Sequence, residues 1–142
     1  MPVQLDLSTY GSIPKVIHVS WKNKDILEDQ SPLILNGLAN LKALNPNYTL
    51  EISDDTDVET YLKSHLNKWE YFKIKNKKIV EKIDLWRLFK MYHEGGIYVD
   101  IDRFCNIPFS TLIEQGTKCI LPTHGDIDFS QDLMISCKHN PL

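Results

Sequence analysis

The amino-acid sequence predicts an α/β fold in which a mixed, mostly parallel sheet is flanked by helices. Short β-branched segments alternate with longer segments whose apolar residues recur at helical spacing. The longest helical segment ends at Gly95-Gly96, and an apolar strand follows at once. A chain of 142 residues is long enough for one such domain and too short for two. We therefore expect a single domain over residues 1–142, with residues 1–12 loosely attached.

The first half of the chain predicts one crossover unit. Residues 13–21 are rich in β-branched side chains and favour a strand. A helix is predicted from Pro32 to a stop at residues 45–47, and a second strand at residues 48–53. The usual right-handed connection would make these two strands parallel neighbours in one sheet.

The second half predicts a further series of helices and strands. Helices are predicted over residues 54–65, 79–94 and 110–115, and strands over residues 97–102, 118–122 and 133–136. Residues 67–78 are aromatic and basic and give no clear periodicity. For the basic run at residues 72–78 a solvated loop or helix start is favoured over contact with an anionic acceptor glycan or a membrane surface.

Composition restricts the classes of partner. The formal net charge is −3, which gives no reason to expect nucleic acid or an anionic membrane. The three cysteines, Cys105, Cys119 and Cys137, lack zinc-type spacing and are expected to be reduced, partly buried thiols. No segment approaches the roughly 18 apolar residues of a membrane span, and no apolar targeting segment opens the chain. A cytoplasmic location is the expectation.

Two carboxylates end the strand predicted at residues 97–102. Because side chains alternate along a strand, Tyr98, Asp100 and Asp102 share one face. Ligands of open α/β sheets bind at the carboxyl ends of strands. Two adjacent negative charges require a shared proton, a basic side chain or a hard cation. A Mg²⁺ or Mn²⁺ ion beside a nucleotide diphosphate is one solution; two acidic residues that cap a turn are the bland alternative.

Three further side chains are candidates for ligand contact. Asp84 and Arg87 stand three residues apart on one helical face, where they form either a surface ion pair or a contact to sugar and phosphate oxygens. Trp21 follows the first strand, where it either stacks on a flat base or covers the sheet edge. His18 is expected to be a hydrogen-bonded strand histidine.

The order of four segments resembles the glycosyltransferases with a DXD sugar-binding region. This family includes yeast Golgi initiating mannosyltransferases and bacterial capsular polysaccharide transferases, and it is related to large clostridial glucosylating toxins. The segments are residues 13–18 (IPKVIH) with Trp21, residues 84–87 (DLWR), residues 95–102 (GGIYVDID) and residues 139–142 (HNPL). The resemblance is strongest over residues 84–102, where a chance match is improbable.

The resemblance implies a GT-A nucleotide-sugar-binding fold and retaining hexosyl transfer from a UDP- or GDP-sugar to a glycan, lipid or protein acceptor. It implies that Asp102 coordinates Mn²⁺ or Mg²⁺, and that Asp100 contacts the donor and the water shell of the metal. Asp84 and Arg87 would contact the donor sugar and Trp21 the base, with Tyr98 as a further donor-binding candidate. The catalytic set implied is Asp84, Arg87, Asp100 and Asp102.

Similar enzymes continue well past the segment at which this chain stops, Leu142. We therefore expect a fragment, a truncated product or a minimal domain. A non-catalytic nucleotide-sugar-binding module is one alternative, and a metal-dependent phosphohydrolase using Asp100 and Asp102 is a more distant one. A second Asp-x-Asp at residues 126–128 is expected to lie in a plain turn, with His124 or Asp126 at the donor site as the alternative. His139 is expected in a frayed tail or near the site.

Overall fold

The computed structural model of the chain describes residues 11–22, 32–101, 107–121, 123–124, 128–129 and 132–140. The α-helices in these ranges are α1 (Pro32–Leu44), α2 (Asp55–His65), α3 (Lys68–Ile74) and α4 (Ile79–His93), and Phe109–Thr111 forms a 3₁₀ turn. The strands are β1 (Val16–Ser20), β2 (Thr49–Ser53), β3 (Gly96–Val99), β4 (Cys119–Ile120), β5 (Thr123–His124), β6 (Asp128–Phe129) and β7 (Leu133–Ser136).

Five of these strands form one mixed sheet in the order β2-β1-β3-β7-β4. β1 is parallel to β2 and to β3, so the predicted crossover unit is present. β7 is antiparallel to β3 and to β4, so antiparallel pairings are as frequent as parallel ones among the described strands of this sheet. β5 and β6 pair separately as a short antiparallel ribbon. Asp128 of the second Asp-x-Asp, predicted in a plain turn, lies in β6 and pairs with His124.

Helices cover both faces of the sheet. Side chains alternate along β3, so this strand contributes to the core on each face. Ile97 and Val99 point into one core, where they pack with residues of α1 such as Leu38. Tyr98 points into a second core, where it packs with Val58 of α2 and Trp86 of α4, among others. The α4–β3 pair therefore joins a helix of the second core to a strand shared by both.

The turn between α4 and β3 requires glycine at two successive positions. The N–H of Gly95 donates to the carbonyl groups of Lys90 and Met91, which closes the helix. Gly95 and Gly96 have φ of 68° and 101°, in the region that favours glycine. A Cβ atom on Gly96 would lie 2.6 Å from the backbone oxygen of Val16. The predicted end of the helix at Gly95-Gly96 is confirmed, and the turn brings the start of β3 directly against β1.

His18 links the same turn to β1, as a hydrogen-bonded strand histidine. Its Nε2 lies 3.0 Å from the carbonyl oxygen of Gly95. Burial lowers the pKa of His18 and outweighs the opposing effects of the hydrogen bond to Gly95 and of the Glu51 carboxylate, 3.3 Å from Nδ1. The ring is therefore neutral at neutral pH. Because a carbonyl oxygen only accepts, Nε2 carries the proton in this assignment.

Several sequence predictions change in the structure. Residues 67–78, whose sequence gives no clear periodicity, contain α3, and reciprocal hydrogen bonds between Asn67 and Glu70 cap its first turn. Trp69 of α3 is 77% exposed and belongs to neither core. The strand predicted at residues 97–102 begins at Gly96 and ends at Val99, since β7 pairs only that far along it.

The described residues also bear on the cysteines and on membrane-spanning helices. Cys119 and Cys137 are free thiols, while Cys105 lies outside the described residues. Among the helices that the structure describes, none combines the length and the apolar character needed to cross a membrane.

Candidate functional site

A cavity of about 350 Å³ opens where the carboxyl ends of parallel strands β1 and β3 meet. Its lining includes Ser20 and Trp21 at the end of β1, Tyr98, Asp100 and Ile101 at the end of β3, and Arg87 of α4. The carboxyl ends of parallel strands leave a crevice that the sheet itself does not fill. Five predicted site residues thus lie at or beside one cavity, because Asp84 is the ion-pair partner of Arg87.

Arg87 lies between two carboxylates. Its Nη2 atom is 3.2 Å from Oδ1 of Asp84 and 3.9 Å from Oδ1 of Asp100. The Arg87 side chain is only 12% exposed, which distinguishes the arrangement from an ordinary surface ion pair. Of the three ways to neutralise Asp100 that the sequence left open, the described residues provide a basic side chain.

Tyr98 supports both charged groups from below. Its hydroxyl donates a 2.6 Å hydrogen bond to Oδ1 of Asp100. Its ring centroid lies 4.7 Å from the guanidinium carbon of Arg87, and the Tyr98 and Trp86 rings meet edge to face at a centroid distance of 6.0 Å. Burial raises the pKa of the Tyr98 phenol, and the hydrogen bond to Asp100 raises it further, so the group remains a donor. Tyr98 therefore orients the carboxylate at the cavity.

Trp21 is half-buried immediately after β1, at the cavity. Its backbone N–H donates to the carbonyl oxygen of Ser53 at the end of β2, which fixes the residue beside the sheet. The ring packs partly against the first core, and the Lys22 ammonium lies 5.7 Å from its centroid. This position suits both of the alternatives that the sequence allowed, a stacking surface and a cover for the sheet edge.

Other sequence candidates do not line this cavity or lie outside the described residues. Asp102 and Asp126 are outside them. His139 instead lies against Tyr92, with ring centroids 5.3 Å apart, and its N–H donates to the Tyr92 carbonyl oxygen. Sequence reasoning missed Ser20 and the apolar lining residue Val80. Ser20 had a usable signal, because it ends β1, and Asp100 directly follows the parallel strand β3.

The part of the cavity that is described fits a hard cation only incompletely. Within the described residues, no three His, Cys, Asp or Glu side chains converge as a metal site. Asp100 is 31% exposed at the cavity, and one of its oxygens is held by Tyr98. A carboxylate has about four acceptor positions, so Asp100 retains capacity for an ion that uses few protein ligands and completes its shell with water and phosphate.

A family model described as the glycosyltransferase sugar-binding region containing the DXD motif matches residues 12–118. Among relatives, the chain is 26% identical over 133 residues to inositol phosphoceramide mannosyltransferase 1 of Schizosaccharomyces pombe, covering 92% of this chain and 40% of the relative. It is 28% identical over 137 residues to mannosyl phosphorylinositol ceramide synthase CSH1 of Saccharomyces cerevisiae, covering 92% and 33%.

One solved structure has a similar fold. The PaToxG glycosyltransferase superposes with a TM-score of 0.61 over 94% of this chain and 58% of its own, at 20% identity. The likeness confirms the predicted fold class. The chain spans only 40% and 33% of the lengths of the two relatives.

Proposed function

Because the chain belongs to the family of glycosyltransferases whose sugar-binding region contains the DXD motif, we propose that it transfers a hexosyl group from a nucleotide-diphosphate sugar. The donor is a UDP- or GDP-sugar, and the acceptor is a glycan, a lipid or a protein. In this proposal, the single domain expected over residues 1–142 is the one that binds the donor.

The observation that carries the proposal is the position of Arg87 between Asp84 and Asp100 at the carboxyl ends of the parallel strands. Transfer breaks the bond between the anomeric carbon and a phosphate oxygen, and negative charge grows on the departing diphosphate. A guanidinium group held in place before the reaction stabilises that charge without reorganisation. Asp84, more exposed than Arg87, accepts hydrogen bonds from sugar hydroxyl groups and orients the ring.

Asp100 and Asp102 are the proposed metal ligands, with Mn²⁺ or Mg²⁺ as the ion. Members of this family generally bind a divalent metal. When bound, such an ion supplies additional positive charge to the diphosphate. Support from this chain is the retained acceptor capacity of Asp100 at the cavity, together with the hydrogen bond by which Tyr98 fixes the orientation of that carboxylate.

The base and the sugar are proposed as follows. Trp21 provides a flat surface for the base at the end of β1. Mannose is the first hexose to test, and an inositol phosphoceramide-type lipid the first acceptor, because the names of the relatives include both. Retention of anomeric configuration is proposed from the family resemblance. The cytoplasmic location expected from the sequence stays a prediction.

Donor binding without turnover is the alternative, and phosphohydrolysis is a more distant one. All three are separated by titrating the chain calorimetrically with GDP-mannose and UDP-glucose, with and without Mn²⁺, and assaying the same mixtures for free sugar, nucleotide and phosphate. Metal-dependent binding of one donor with transfer to an added acceptor supports the proposal. Binding without any product supports the module, and release of inorganic phosphate without hexose preference supports the hydrolase. The absence of binding to either donor contradicts the proposed donor site.

A further inference from the structure

The short helix α3 is fastened to the protein along one side. The hydroxyl of Tyr71 donates to the Glu59 carboxylate of α2. Lys82 of α4 bridges the same carboxylate and the carbonyl oxygen of Lys75, with both contacts at 2.8 Å. Ile74 packs against the second core. This inner side fixes the orientation of α3 relative to α2 and α4.

The opposite side of α3 faces solvent and is aromatic and basic. Lys68, Trp69, Phe72 and Lys73 fall within one sector of the helix, away from Tyr71 and Ile74, because residues four apart lie on one side. We call these four residues the outer face of α3. Trp69 is 77% exposed and Phe72 is 61% exposed. Two large, exposed aromatic side chains on a helix of fixed orientation form an apolar surface of the kind that binds a membrane or another molecule.

The charge around the outer face is opposite to that of the whole chain. Residues 68–78 contain five lysines and one glutamate, and all five lysines are exposed, whereas the formal net charge of the chain is −3. The glutamate, Glu70, is held by the backbone N–H of Asn67 in the helix cap. The segment therefore presents a concentrated positive charge beside its two aromatic rings.

We propose that the outer face of α3 docks this protein on the surface of an anionic lipid bilayer. Trp and Phe side chains partition into the boundary between headgroups and acyl chains, and lysines on the same helix attract anionic headgroups. Self-association through this face would bring the lysine-rich segments of two copies together, and their repulsion argues against it. A neutral glycan would leave the five lysines without a counter-charge.

Docking in this way also relates the bilayer to the cavity. α4 begins five residues after α3 ends, and Val80 in its first turn lines the cavity. Lys77 and Lys78 lie in the connection between the two helices. Docking of α3 would therefore bring the start of α4, where Val80 lines the cavity, close to the membrane surface. The inference does not depend on the proposed transferase function, since it requires neither donor nor metal.

The test is flotation of the chain with vesicles of phosphatidylcholine, with and without about 30% phosphatidylserine. We expect binding to the anionic vesicles only, and its loss between about 0.1 and 0.5 M salt, where surface charges are screened. Tryptophan emission should shift to the blue on binding, because Trp69 is the most exposed of the three tryptophans, with Trp21 half-buried and Trp86 fully buried. Trp69→Phe should retain binding and lose most of the shift.

Matched variants locate the surface. Phe72→Ser should weaken vesicle binding by at least about fivefold, whereas Leu33→Ser, at a leucine of α1 that is also 61% exposed, should not. Lys68→Gln with Lys73→Gln should weaken it by about 25-fold, at roughly fivefold per lysine. Lys15→Gln with Lys42→Gln removes the same charge elsewhere and should have little effect.

Three results would overturn the inference. One is equal binding to neutral and anionic vesicles, or none to either. Another is an equal loss in the control variants. The third is binding of a soluble polyanion such as heparin through the same four residues without vesicle binding, which would assign the face to an anionic glycan. Because no donor is present in these assays, none of these results bears on the proposed donor site.

Discussion

The hydroxyl of Tyr98 donates its hydrogen bond to Oδ1 of Asp100, the same oxygen that lies 3.9 Å from Nη2 of Arg87. Oδ1 of Asp100 thus accepts a hydrogen bond from the neutral Tyr98 hydroxyl of the second core and faces the Arg87 guanidinium of α4. The other oxygen of Asp100 has no such fixed partner among these two side chains. The carboxylate consequently has a defined orientation relative to the cavity before any ligand arrives.

Tyr98→Phe should weaken donor binding while the fold persists. The substitution removes the hydrogen bond to Asp100 and retains the ring that contacts Arg87 and Trp86. A hydrogen bond to a charged group contributes about 1.5–3 kcal/mol, so we expect about tenfold weaker donor binding and a lower melting temperature. Calorimetric titration and thermal unfolding measure these changes. Tyr92→Phe, at an exposed tyrosine, is the control, and an equal effect there would remove the special role of Tyr98.

Arg87→Ala should weaken binding of the nucleotide-sugar more than binding of the bare nucleotide. The reason is that Arg87 pairs with Asp84, the proposed sugar contact, as well as facing Asp100. We expect a loss of about 2–4 kcal/mol for the nucleotide-sugar, measured by titration with GDP-mannose and GDP. Arg87→Lys retains the charge and should recover part of the loss. Equal losses for both ligands would move Arg87 away from the sugar.

Asp102→Ala should abolish metal-dependent donor binding without unfolding the protein. Asp102 lies outside the described residues, so this prediction rests on the motif, whereas Asp100 has its place at the cavity. Removal of one carboxylate ligand from a metal with few protein ligands eliminates much of its affinity. Titration of donor with and without Mn²⁺ measures the effect, and Asp126→Ala in the second Asp-x-Asp is the matched control. Unchanged Mn²⁺ dependence in Asp102→Ala would contradict the metal assignment.

Acid should destabilise the fold through His18. Its pKa is lowered by burial from an ordinary value of 6.5, so the unfolded chain binds the proton more readily than the folded one. The stabilisation is therefore fully present above pH 6.5 and is lost as the pH falls through the folded-state pKa. One such group changes the free energy of unfolding by at most about 1.4 kcal/mol per pH unit.

Urea unfolding between pH 7 and pH 5 measures this dependence, and His18→Gln should flatten it. The pKa of His93 is also lowered, chiefly by burial, so His93→Gln separates the two contributions. A pH dependence that is unchanged in His18→Gln and lost in His93→Gln would assign the effect to His93 and contradict the prediction.

Gly96→Ala should destabilise the protein far more than Gly116→Ala. Both glycines have positive φ, 101° and 88°, so both substitutions carry backbone strain. Only at Gly96 would the new Cβ meet the Val16 backbone oxygen, 2.6 Å away, while at Gly116 nothing lies within 4 Å. We expect Gly96→Ala to cost about 1–3 kcal/mol more in the free energy of unfolding. Equal losses would mean that the clash relaxes without cost.

The sequence predicted the helices well where periodicity and capping signals coincided. α1 spans Pro32–Leu44 and α4 starts at Ile79, both as expected, and Asp54 caps α2 through the N–H of Asp57. The sequence of residues 67–78 did not predict a helix, because α3 is only seven residues long and an apolar stripe cannot repeat over that length.

The arrangement of the site needed tertiary information. The spacing of Asp84 and Arg87 predicted an ion pair, but not that Asp100 would share Arg87, because that contact joins a helix to a strand across the Gly95-Gly96 turn. Similarly, the alternation of Tyr98 and Asp100 placed both on one face without revealing that the phenol would donate to the carboxylate. Sheet order also depends on pairing between segments far apart, such as β3 with β7.

Asp84, Arg87, Tyr98 and Asp100 all come from one uninterrupted piece of chain, the α4–turn–β3 unit at residues 79–100. Evolution can therefore lengthen, shorten or replace the surrounding connections without separating these four side chains. The unit itself tolerates no change in length. One residue inserted between Arg87 and Gly95 would rotate Arg87 by about 100° around the α4 axis. Asp84 would turn with Arg87, because both precede the insertion on α4, but the guanidinium would leave Asp100. Substitution rather than insertion is therefore the route by which this site can diversify.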